Sequence, residues 1–70
     1  MVPPENIKEL AELYDQFAHA LDPFSEQRDK AEDAFFLLLE KLKLTHAPTA
    51  DAREFRREAV RQCKLFLKKN

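Results

Sequence analysis

Apolar side chains recur at three- and four-residue steps through the start of the chain: Ile7, Leu10, Ala11, Tyr14, Phe17, Ala18 and Leu21. That is the period of one helix face. Leu13 and Ala20 fall on the same half of the wheel, and Lys8, Glu9, Glu12, Asp15 and His19 fill the other. The pattern predicts a helix over residues 4–21. Pro3 and Pro4 suit its first turn, and Asn6 with Glu9 three residues on has the spacing of a capping pair. "LDPFSEQ" ends it, since Pro23 disfavours a helical Asp22, and either Asp22 or Ser25 caps the next helix.

That second helix is expected over residues 25–43. "THAPT" forms the next break, with Pro48 as the stop and Thr49 as the N-cap of a third helix over residues 49–68. The third helix carries Ala52, Phe55, Ala59, Val60, Cys63, Phe66 and Leu67 on one face and frays near Lys69. Two short loops make sequential helices antiparallel neighbours. The expected fold is therefore all-α, an up-down-up three-helix bundle forming a single domain of residues 1–70. A helical hairpin whose third helix packs on a second subunit fits the same pattern.

The stretch "AFFLLLEKLKL", residues 34–44, breaks the regular amphipathic pattern, because eight of its eleven positions are apolar. Ala31, Ala34, Phe35, Leu38, Leu39 and Leu42 cover about 140° of the second helix, enough for a core face. Phe36, Leu37 and Leu44 widen the apolar sector to about 260°. A helix touching two neighbours has no use for so much. Either the "MVPP" arm or Leu65 and the chain end cover the surplus, or Phe36 and Leu37 belong to an interface. With Lys41, Lys43 and Asp33 around them, these residues resemble a contact patch of apolar centre and charged rim. The interface is the favoured account, because a chain of 70 residues gains little stability from its own core. Phe36, Leu37 and Leu44 are accordingly the candidate protein interface.

Composition removes whole classes of function. Glycine is absent, and with it the phosphate-cradling loops and Rossmann turns that depend on it. No apolar run is long enough to span a membrane. The single cysteine, Cys63, allows no internal disulfide and, without a signal-peptide pattern, points to a reducing cytoplasmic setting. Cys63, His19 and His46 match no common metal-ligand spacing, so no metal or cofactor is expected.

No catalytic constellation emerges either. Cys63 lies on the apolar face of the third helix, where a thiol acts as a small hydrophobe. His19 is placed on a solvated face and His46 near the end of the second helix, where it could cap the last carbonyls. Neither histidine has an evident orienting partner along the chain. Glu5, Glu9, Glu12, Glu32 and Asp33 lack the Glu-x-x-His pairs of a di-metal bundle and are assigned to solvated faces. The chain is expected not to be an enzyme, and no small-molecule substrate is evident.

The net charge of −1 conceals a segregation. Residues 1–22 hold five acids against one lysine, and residues 45–70 hold seven bases against three acids. Arg53, Arg57, Arg61, Lys64 and Lys68 step by four, four, three and four, forming a basic ridge roughly 22 Å long. Such a ridge could contact phosphates, though Glu54 and Glu58 lie beside it and no aromatic on that face could stack bases. Alternatively, the acidic face of the first helix meets the ridge. Arg56 falls inside the apolar arc between Cys63 and Leu67, where it is expected to snorkel past the end of the bundle; a buried ion pair or ligand contact is the alternative.

These features predict a non-enzymatic helical module, with an adaptor, regulatory or assembly role, that binds a protein partner or a second copy of itself through the apolar patch. A nucleic-acid-associated regulator using the basic ridge is the runner-up.

Overall fold

A computed structural model describes residues 2–69, which form three helices: α1 (Pro4–Ala18), α2 (Glu26–His46) and α3 (Ala52–Lys69). They pack against one another as an all-α three-helix bundle. Among the described residues no helix is long and apolar enough to cross a membrane.

The helix ends differ from the expected ones by a few residues, each for a local reason. At the start of α1, Pro3 is extended (φ −61°, ψ 138°) and Pro4 occupies the first helical position, where its missing N–H is no loss. Asn6 lies inside the helix with its N–H on the Pro3 carbonyl at 3.0 Å, so the expected Asn6–Glu9 capping pair does not form. The C-terminal end comes three residues early, at Ala18 rather than Leu21. Asp22 turns the chain instead, its carboxylate accepting from the Phe24 N–H at 3.0 Å while its carbonyl accepts from Ser25 at 3.2 Å. Leu21, counted on the apolar face of the first helix, is thereby fully exposed, as Phe24 nearly is.

Ser25 is the N-cap of α2, its hydroxyl accepting from the Arg28 N–H at 3.1 Å. This helix continues through His46 rather than stopping at Lys43. Proline restricts the residue before it, and here that is Ala47, at φ −148° and ψ 58°. Everything up to His46 therefore keeps its helical hydrogen bonds, and His46 sits in the last turn instead of the loop. Thr49 does not cap α3. Asp51 does, with one carboxylate oxygen accepting from the N–H groups of Arg53 at 2.9 Å and Glu54 at 3.1 Å.

The arrangement is asymmetric. α1 packs along both other helices, whereas α2 and α3 touch each other little. Because α3 packs on α1 of the same chain, the hairpin with an exported third helix is excluded. Leu10 and Ala11 of α1 lie at the centre, with Phe35, Leu39 and Leu42 of α2 and Phe55, Ala59 and Cys63 of α3 around them. No polar or charged side chain is buried among the described residues.

With one principal neighbour, α2 buries only Ala31, Phe35, Leu39 and Leu42, an arc of about 80°. Ala34, expected in the core face, is exposed, and Leu38 is half-buried. Ala18 and Ala52 are exposed too. Val2 is buried, but in the cleft between α1 and α3 that Ile7 and Phe66 also line, away from the exposed sector of α2.

Candidate functional site

Phe36, Leu37 and Leu44 keep 41%, 58% and 63% of their surface in water. Neither the N-terminal arm nor Leu65, itself exposed, covers them. Phe36 is nevertheless held in place. Its ring stands edge-on to Phe35 at 5.3 Å between centroids and lies 6.2 Å from Phe17. Phe17 and Tyr14 both contact Phe35, so one aromatic cluster runs from α1 into α2. Offset and edge-to-face rings gain attraction beyond their buried area, which fixes the cluster's geometry.

Arg56 of α3 completes this cluster from the other side. Its guanidinium carbon lies 5.5 Å from the centroid of the Phe36 ring, a cation–π arrangement. It neither snorkels past the end of the bundle nor enters a buried ion pair. The contact joins the two helices that otherwise scarcely meet.

Between α2 and α3 runs a groove of about 550 Å³. Leu39 and Phe55 supply its buried floor, and Phe36, Leu44 and Ala52 its walls. Glu40, Lys43 and Arg56 contribute the polar groups of its rim. Two of the three candidate patch residues, Phe36 and Leu44, thus line one concavity. Leu37 lies outside it, one position further round α2.

All five ridge residues, Arg53, Arg57, Arg61, Lys64 and Lys68, are exposed. Arg53, Arg57, Arg61 and Lys64 surround a shallow cleft over Val60, and Arg56 lines both this cleft and the apolar groove. The ridge is not uniformly available. Arg61 grips Glu58 through two hydrogen bonds, 2.6 Å from Nη2 and 3.1 Å from Nε, and Gln62 adds a third at 3.0 Å. The hydrogen bond from Arg61 holds the Glu58 carboxyl down at about 2, helped by Gln62. No ion pair links α1 to α3 among the described residues; every pair joins side chains within one helical turn of each other along the chain.

Cys63 has no solvent exposure, and burial pushes its thiol up to about 11, away from the thiolate that nucleophilic chemistry needs. His19 does have a partner, contrary to the sequence expectation: its Nδ1 lies 2.7 Å from an Asp15 carboxylate oxygen one turn back. The spacing of four was the available signal. Both groups are exposed, and the Tyr14 ring stands edge-on to the imidazole at 6.1 Å between centroids. Glu5, Glu9, Glu12 and Asp33 are exposed, and Glu32 is engaged by Arg28 at 3.1 Å. Among the described residues no group of three or more His, Cys, Asp or Glu could hold a metal ion. Compared with protein-family models, curated proteins and solved structures, the chain matches none.

Proposed function

We propose that the chain is a non-enzymatic helical module, with an adaptor, regulatory or assembly role, that binds protein through the exposed apolar sector of α2. One observation carries the reading. Phe36, Leu37 and Leu44 stay wet off the arc by which α2 packs on α1, with α3 touching α2 little, although burying such a side chain is worth about 1.5–3 kcal/mol. The buried thiol and the exposed Asp15–His19 pair, whose third neighbour is the ring of Tyr14, support the non-enzymatic part of this reading. A cytoplasmic setting goes with this reading, since the lone cysteine asks for no oxidising compartment.

The test uses a photo-crosslinking residue at Lys41, on the rim of the patch. It should trap a protein, either a partner or a second copy. Replacing Leu37→Ser and Leu44→Ser together should abolish the crosslink while shifting stability by about 1 kcal/mol or less, as both side chains are mostly exposed. Failure to trap any protein, together with a chain that sediments as a monomer at the highest attainable concentration, would sink the reading.

The basic ridge supports the nucleic-acid reading less well. Arg61 already pairs its charge with Glu58, and the ring of Phe36 already carries Arg56.

A further inference from the structure

Resting on the protein-binding reading, we infer that the groove between α2 and α3 receives an amphipathic helix with an acidic flank, supplied by a protein partner. The shape of the site is the first argument. α1 fills one side of the angle between α2 and α3, and the opposite side is open. Phe36 and Leu44 stand two turns apart on α2, about 12 Å along its axis. Phe55 and Ala52 face the same space from α3. A helix laid along this trough meets apolar side chains at its own three- and four-residue period, the helix-in-groove mode of recognition.

Charge selects which helix. On the groove's rim stand Lys43 and Arg56, opposed by the single acid Glu40. Arg53 and Arg57 follow immediately along α3. Arg53, Arg56 and Arg57 form no ion pair with any carboxylate among the described residues, unlike Arg28 and Arg61. An incoming helix with glutamates or aspartates beside its apolar stripe meets those cations at the edge of a desolvated surface, where complementarity governs on-rate and register.

A second copy of the chain does not meet this description. Its α1 has an acidic outer face but an apolar stripe already buried in its own core, and the exposed apolar sector of its α2 is flanked by Lys41 and Lys43 as much as by Asp33 and Glu40. A free helix offering both properties must come from elsewhere. Nucleic acid would match the arginines but leave the apolar trough unfilled.

The proposal is tested on the full chain, labelled with 15N. Two synthetic peptides of about 18 residues carry the same leucine stripe, one flanked by glutamates and its twin by lysines. A short DNA duplex is run in parallel. The glutamate peptide should bind at least tenfold more tightly than the lysine peptide, with amide shifts centred on Phe36, Leu44, Ala52 and Arg56. Arg56→Glu, an exposed position, should reverse that preference, and Phe36→Ser should weaken both peptides. Equal affinity for the two peptides, with shifts in the groove, overturns the acidic partner while leaving the protein-binding surface standing. Shifts confined to other faces for both peptides overturn the groove itself. Duplex binding tighter than the glutamate peptide, with shifts along Arg53, Arg57 and Arg61, overturns the proposal in favour of phosphate contacts.

Discussion

Phe35 and Phe36 are neighbours of identical chemistry with opposite environments: the first is fully buried, and the second is clamped at the surface between a ring edge and a guanidinium. Their difference was legible from the wheel, since 100° separates consecutive helical residues. The same arithmetic put Cys63 on the inner face of α3, where it has no solvent exposure. A thiol held at about 11 is almost wholly protonated at neutral pH, and its sulfur is out of reach. Cys63 should therefore resist a maleimide in native buffer and react promptly in denaturant. Native-state labelling at the rate of a free thiol would contradict its burial. Arg56 was the residue least readable from sequence: its angle announced a conflict with the apolar arc, but only the position of Phe36 on another helix resolved it.

Helix termini show how far local chemistry reaches. For α2 the sequence offered Asp22 or Ser25 as the cap, and the Ser25 hydroxyl takes the role while the Asp22 carboxylate is spent on the Phe24 N–H of the preceding turn. For α3, Thr49 and Asp51 are both competent cap residues. The choice fell to Asp51 because its carboxylate reaches two backbone N–H groups at once, while Thr49 lies in the turn closed by the Ala50 N–H on the Ala47 carbonyl at 3.1 Å. Asp51→Ala should cost about 1 kcal/mol in urea unfolding, whereas Thr49→Ala should cost little. Equal losses would return the cap to Thr49. The early end of α1 has the opposite cause. Its apolar period continues to Leu21, but the Asp22–Ser25 turn takes over before a further helical turn can find packing partners.

At the scale of the molecule, stability rests on a thin shared core in which α1 serves both other helices. For a chain of 70 residues the total is expected near 4–10 kcal/mol. Phe35, fully buried and at the junction of the aromatic cluster, should cost about 3–5 kcal/mol when replaced by alanine. Phe35→Ala should thus lose most of the folded population on mild warming, followed by circular dichroism. Leu37→Ala, by contrast, should melt within a few degrees of the parent. If the two variants melt together, α2 is covered on both sides and its exposed sector is ordinary core.

The information that the sequence determined by itself was local. Three amphipathic helices, the prolines and aspartates that separate them, and the surplus of apolar residues on α2 all arise from interactions within one or two turns, which period and composition record. Tertiary structure decided the features that depend on the three helices together. It made α1 the shared partner, narrowed the buried stripe of α2 to exclude Ala34, and drew Val2 into the α1–α3 cleft. It also opened the trough in which Phe36, Leu44 and Arg56 meet. No single helix carries that information. Which pair of apolar faces closes, and which is left apart, is settled by the competition among all of them for a core too small to satisfy each one.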